Sequence, residues 1–166
     1  MAFILRPWQT NDLDPLVSAA NNYEIARFMT DQFPHPYTAH NGRAFIEYAM
    51  RNDPPNILAI VVDDVPAGGI GIHPQSDIHC RNAEMGYWLA QPYWGKGIVS
   101  AAVQQMVKYA FANWDINRIF ARPFGSNTAS QKVLEKAGFV LEARMEKTIF
   151  KNGQYEDELI YALRKK

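Results

Sequence analysis

A single cysteine, Cys80, stands among 166 residues, so no internal disulfide framework is available and the chain suits a reducing cytoplasm. Neither sign of charge is in excess. Seventeen Lys and Arg face 17 Asp and Glu, which removes the electrostatic case for nonspecific binding to nucleic acid or to a membrane surface. Long apolar runs are missing too: Met1-Ala2-Phe3-Ile4-Leu5 stops at Arg6 and Pro7, too short for a signal peptide or a membrane span. Repeats, linkers and low-complexity tracts are absent. What is present is a hydrophobic content of 48% with 20% charged residues. That is the composition of one globular domain, residues 1–166, with a substantial core.

Periodicity supplies the elements. Phe3 to Arg6 reads as a short strand, and Thr10 or Asn11 as the cap of a helix ending near Ala20. Tyr23 to Met29 predicts a second helix. Asp31 to Thr38 holds Pro34 and Pro36, which forbid helix, so it is an extended loop of the sort that carries substrate contacts. A helix follows from Ala39 to Met50. Ile57–Val62 and Ala67–His73, turned by Asp63-Asp64, read as a hairpin. The glycines at 68, 69 and 71 mark a bulge or a close backbone approach. Ala83–Ala90 is a strand stopped by Pro92, and Asn117–Arg122 is another. Asn127–Ala137 predicts a helix closed by Gly138. Phe139–Phe150 alternates, with Leu141, Ala143, Met145 and Ile149 on one face. Asn152-Gly153 is a strong hairpin turn, and Leu159, Tyr161 and Leu163 alternate on the return strand.

The organising stretch runs from Ala83 to Phe111. After the strand come Tyr93-Trp94-Gly95-Lys96-Gly97-Ile98-Val99-Ser100. A helical stripe follows through Ala102, Val103, Met106, Val107, Ala110 and Trp114. A glycine turn feeding a helix leaves several N–H groups unpaired at the positive end of the dipole, which suits a phosphate or pyrophosphate. The plain alternative is a tight turn before a buried helix. A Walker loop is excluded, because no glycine lies five residues before Gly95 and no Ser or Thr follows Lys96. The dinucleotide fingerprint is half met as Gly95-x-Gly97-x-x-Ser100, but the next strand closes with Arg122 where an acidic residue is needed.

With these segments placed, the chain resembles the GNAT superfamily of acyl-CoA-dependent N-acetyltransferases, in particular the branch holding the ribosomal-protein N-terminal acetyltransferases. Four segments carry the resemblance: Gly86-Tyr87-Trp88-Leu89, Tyr93-Trp94-Gly95-Lys96-Gly97, Asn127-x-x-Ser130 with Val133 to Phe139, and Phe150 to Asp157. It implies a mixed α/β fold: a single, largely antiparallel sheet of about seven strands, helices on both faces, and a splay between the fourth and fifth strands. It further implies that Gly95, Lys96, Gly97, Ile98, Val99 and Ser100 cradle the pyrophosphate of acetyl-CoA, chiefly through backbone. Main-chain groups of Tyr87, Trp88 and Leu89 would bond the pantetheine arm, Asn127 would hold it, and Ser130 would sit near the thioester sulfur. Lys132 is a further phosphate contact, with surface solvation as the plain alternative. Three departures stand out. Trp94 replaces the usual Gln or Arg before the first glycine, and Val99 replaces the second small residue. Leu134 occupies the place of a thiolate-protonating tyrosine, which leaves that role to Ser130.

Transfer from a thioester to an amine needs a neutral amine, a polarised carbonyl and a destination for the thiolate's charge. Glu84 is the only carboxylate on the splayed strand. It reads either as a base acting through water or as a strand-end group in solvent. A lysine amine titrates near ~10.4 and an α-amine near ~7.7–8.0, a gap of roughly 3–4 kcal/mol, so a modest base favours an α-amine. His73, His79 and Cys80 fall short of a closed metal site, and direct attack by the amine needs no cysteine nucleophile. The expected reaction is direct transfer in a ternary complex to a primary amine, by a monomer or homodimer without metal. Acceptors within reach of this reading are a protein N-terminus, an amino acid, a polyamine or an aminoglycoside-like amine. A non-catalytic acyl-CoA-binding or regulatory module is the alternative from another class. A nucleotide-dependent oxidoreductase is the third.

Overall fold

Each strand-type and helix-type run above becomes an element in the computed structural model, which describes residues 1–166. In chain order these are β1 (Ile4–Pro7), α1 (Leu13–Ala20), α2 (Tyr23–Ala26), α3 (Ala39–Ala49), β2 (Ile57–Val62), β3 (Val65–Pro74), β4 (Asn82–Leu89), α4 (Ile98–Asn113), β5 (Arg118–Ala121), α5 (Thr128–Lys136), β6 (Val140–Lys151) and β7 (Gln154–Arg164). Hydrogen bonds join the strands into one seven-stranded sheet ordered β1-β2-β3-β4-β5-β7-β6. The sheet is mixed: β4 and β5 are parallel, while β1–β2, β2–β3, β5–β7 and β6–β7 are antiparallel. The chain divides into two compact units, Met1–Gly71 with Tyr87–Ala102, and Ile72–Gly86 with Val103–Lys166.

In the first unit, β2 is apolar at every position because both its faces are buried. Ile57, Ala59 and Val61 join Trp8, Leu16 and Ile46 in one core cluster, and Leu58, Ile60 and Val62 are equally shielded. The hairpin to β3 turns on Asp63 and Asp64, at φ 49° and 63°. Aspartate tolerates that left-handed conformation better than bulkier residues do. A Cβ on Gly68 would stand 2.4 Å from the Trp88 carbonyl oxygen, so this glycine marks a close backbone approach. The start of α1 differs from the expectation. Neither Thr10 nor Asn11 caps it; a short 3-10 turn, Thr10–Asp12, precedes it with Gln9 at the cap. Asp12 drives the change, because its buried carboxylate accepts from the Gln9 N–H at 2.8 Å and from both Arg6 terminal nitrogens at 2.8 and 2.9 Å. Burial pushes the Asp12 pKa up, and the Arg6 and Gln9 bonds outweigh it and hold the carboxyl below its usual range.

In the second unit, β5 packs Ile119 and Ala121 inward, and Asn152 and Gly153 turn the last hairpin with φ of 52° and 75°. β6 corrects the expected alternation. It is the outer strand of the sheet, and its register with β7 shifts between Leu141 and Ala143 and again between Met145 and Ile149. The first bulge takes Leu141 off the inward face and leaves it exposed, while Ala143, Met145 and Ile149 are half-buried.

Candidate active site

The turn ahead of α4 is built from backbone. Gly95 and Gly97 sit at φ +74° and +78°, and a Cβ on either would meet no heavy atom within 4 Å. Non-glycine residues pay for that conformation. Nothing in the packing asks for glycine here, so what the small residues provide is open space beside a left-handed backbone. Ile98 buries its side chain and anchors the helix start. The helical ladder begins with the Ala101 N–H on the Gly97 carbonyl at 3.2 Å. The N–H groups of Ile98, Val99 and Ser100 precede that bond at the positive end of a 16-residue helix. The positive end of a helix with open space beside it suits an anionic group. Lys96 is exposed, its ammonium 5.7 Å from the Tyr93 ring centre.

The preceding strand carries the next three residues named from sequence. Trp88 and Leu89 are buried and Tyr87 is half-buried. The Trp88 ring meets Phe33 of the proline-rich loop edge-on at 5.6 Å. Its side chain is therefore core, and any ligand contact at this position falls to its main chain. Trp94 does something that sequence reading missed. Its indole N–H donates to the Leu89 carbonyl at 2.7 Å and fastens the turn to the strand end. A large indole one residue before a glycine turn was the available signal; its partner is set by the fold.

In the second unit, β4 pairs with β5 only at Asn82–Arg118, Ala83–Ile119 and Glu84–Phe120. The parallel pairing ends at Glu84, opposite Phe120, one residue before β5 ends at Ala121. At that point Glu84 is partly buried, with its side chain 34% exposed. Desolvation raises its pKa; the Arg122 charge works against this and the Glu158 charge reinforces it. Arg122 lies just past β5, with Nη1 4.0 Å from Glu84 Oε1 and Nη2 3.0 and 3.2 Å from the two Glu158 oxygens. Sequence reading missed Arg122 and Glu158 as members of this corner. The signal is the order β4-β5-β7, which no local pattern reveals.

Asn127 is the N-cap of α5, outside the helix proper, and its Oδ1 accepts the Ser130 N–H at 3.2 Å. The two residues are thus held together by a cap, not by a shared helical face. The amide nitrogen of Asn127 is the end that suits a ligand carbonyl. Ser130 is half-buried, Lys132 is exposed, and Leu134 is fully buried and apolar. Of the residues weighed and set aside, Cys80 is an exposed free thiol. His73 is half-buried, and desolvation lowers its pKa. No group of three or more His, Cys, Asp or Glu is placed to hold a metal ion.

The family profile described as Acetyltransferase (GNAT) domain matches residues 2–140. Among curated relatives, "Putative ribosomal N-acetyltransferase YdaF" of Bacillus subtilis (strain 168) is 33% identical over 107 residues, 64% of this chain and 58% of its own length. The match therefore spans less than two thirds of that relative. Among solved structures, the microcin C7 self immunity acetyltransferase MccE in complex with acetyl-CoA and AMP superimposes with a TM-score of 0.82 at 25% identity, covering 98% of this chain and 92% of that one. The ribosomal L7/L12 alpha-N-protein acetyltransferase RimL in complex with coenzyme A superimposes with a TM-score of 0.84 at 24% identity, covering 99% and 94%. That second likeness bears on the fold.

Proposed function

We propose a function from one premise: this chain belongs to the GNAT acetyltransferase family. The reading is an acetyl-CoA-dependent N-acetyltransferase, one domain over residues 1–166, that moves an acetyl group directly to a primary amine. The observation that carries it is the turn of Gly95 and Gly97, which opens free space beside the unpaired N–H groups of α4. Backbone of Gly95 to Ser100 takes the pyrophosphate, with Lys96 and Lys132 as outer contacts. Main-chain groups of Tyr87 to Leu89 and the Asn127 amide take the pantetheine.

The chemistry takes two protons from the nitrogen and gives one to the sulfur. Glu84, as carboxylate, accepts a proton from the ammonium through water and so supplies the neutral amine. The amine nitrogen then attacks the thioester carbonyl carbon, the C–S bond breaks, the Ser130 hydroxyl donates to the departing thiolate, and the proton shed by the newly acylated nitrogen restores the hydroxyl. Leu134, apolar and buried, takes no part. Glu84 is a single, partly screened carboxylate and so a modest base. This favours acceptors whose amine loses its proton easily, the α-amine of a protein or peptide N-terminus before a lysine ε-amine. The relative named for ribosomal substrates supports that class, and a reducing cytoplasm is its natural compartment.

A panel of amines with acetyl-CoA, followed by thiol release, tests the reading. Thiol should appear only when an amine is present, and fastest with α-amine acceptors. CoA binding with no thiol release for any amine would leave a non-catalytic acyl-CoA-binding module. Stabilisation by NAD(P) and not by CoA would instead favour the oxidoreductase.

A further inference from the structure

Arg122 serves two carboxylates unequally. Its Nη2 lies 3.0 and 3.2 Å from the two oxygens of Glu158, whereas its nearest approach to Glu84 is 4.0 Å. The difference has a structural cause. Glu158 sits on β7, where its backbone bridges to Phe124 and pairs with Met145 of β6, and its side chain is only 12% exposed. Arg122, at 47%, is the more exposed partner and pairs with the more deeply buried carboxylate.

The other charged groups near Glu84 are engaged elsewhere. On β5, Arg118 binds Glu142 of β6 at 2.6 Å and the Asn82 side chain at 3.0 Å. On β7, Glu156 holds the Ser126 hydroxyl, Asp157 holds Arg144, and Arg164 reaches Glu142. On β3 the titratable side chain is His73, whose pKa desolvation lowers. The charges that act on Glu84 are Arg122 and Glu158.

We propose that Glu158 is a positioning residue for proton removal from the acceptor amine: it anchors Arg122 and so denies Glu84 a short ion pair. The inference rests on Glu84 being the base. A guanidinium at hydrogen-bond distance would hold that carboxylate ionised and make it a poor proton acceptor. Held at 4.0 Å by a competing carboxylate, the same cation orients Glu84 without quenching it. Glu158 never touches the substrate in this scheme; it works through Arg122.

The test measures Glu84 directly and through turnover. Side-chain carboxyl carbons of uniformly labelled protein are titrated by NMR, with the Glu84 signal assigned from its loss in Glu84→Gln. The same samples give pH profiles of kcat/KM with an α-amine acceptor. Glu158→Gln frees Arg122 for Glu84, so the Glu84 titration and the acid limb should both fall by about one pH unit. The KM for acetyl-CoA should hold while kcat drops at neutral pH. Arg122→Gln, an exposed change that needs no refolding of β7, should move both upward. In Arg122→Gln/Glu158→Gln the titration should follow that of Arg122→Gln, because Glu158 works through Arg122. A Glu84 titration that stays put in Glu158→Gln and in Arg122→Gln overturns the inference while leaving the enzyme reading intact. Titrations that shift as expected while the acid limb does not move overturn it through its premise, because Glu84 is then not the base.

Discussion

In the proposed site, the turn of Gly95 to Ser100 and the corner of Glu84, Arg122 and Glu158 are built of opposite materials. The turn offers backbone. Its N–H groups are the same whichever side chains flank them, so a change of side chain at Trp94 or Val99 leaves those donors in place. The corner offers side chains, and every function there depends on one carboxylate or one guanidinium at a particular distance. A backbone site tolerates replaced residues and fails when its open space is filled. A side-chain site tolerates reshaped surroundings and fails when a single charge is lost.

The largest expected effects are therefore at the reacting end. Glu84→Gln keeps shape and hydrogen bonding but accepts no proton, and should lower kcat by about 10²–10⁴ at neutral pH. The sign of its pH dependence is fixed by the raised pKa of Glu84. The base works only after losing its proton, so wild-type kcat/KM should rise with pH through an ionisation above the ordinary carboxylate range. The variant should lack that limb. It should recover part of its rate in alkali, sooner for an α-amine than for an ε-amine. Ser130→Ala should lose a similar factor in kcat with CoA affinity intact. An unchanged kcat would leave thiolate protonation to water.

Next comes the turn itself. Gly97→Val places a β-branched side chain in the open space at φ +78°. Loss of one or two charge-assisted bonds to phosphate should weaken CoA binding about 10²-fold, measured by calorimetry on folded protein. Gly97→Ala separates backbone strain from blockage and should lose less. Full CoA affinity in Gly97→Val would place the pyrophosphate elsewhere.

Two smaller effects sharpen the contrast. Asn127→Ala removes a ligand contact and a helix cap together, so it should weaken CoA binding and also cost about 1 kcal/mol of stability in denaturant melts. Lys96→Ala removes only an exposed charge and should weaken CoA binding about threefold. A much larger loss would mean that the cradle depends on this side chain more than on its backbone.

What was legible in the sequence follows the range of the interactions. The order of strands and helices came from period and turn chemistry, which are local, and the boundaries of β2 fall where the apolar run begins and ends. Gly95 and Gly97 were legible for the same reason, since their conformation is a property of the turn. Asp12 was not, because its buried pairing with Arg6 shifts the helix start through a contact outside the helix. Leu141 was misread because a bulge leaves no mark in an alternating pattern. Arg122 and Glu158 lie 36 residues apart and meet only because β7 sits next to β5, a fact about topology. Trp94 was visible as an oddity, and its hydrogen bond to Leu89 was not.

That indole bond gives the protein its own optical reporter. The chain has four tryptophans. Trp8 and Trp88 are buried, and Trp114 is partly covered and set edge-on to Tyr109. Trp94, at 43% exposure, is the one most open to a collisional quencher such as iodide, and it stands directly before the turn proposed to receive the phosphates. Emission quenched by iodide in the free protein therefore reports chiefly on Trp94. Its protection as CoA is added reads occupancy of the turn without a label, in the wild-type chain.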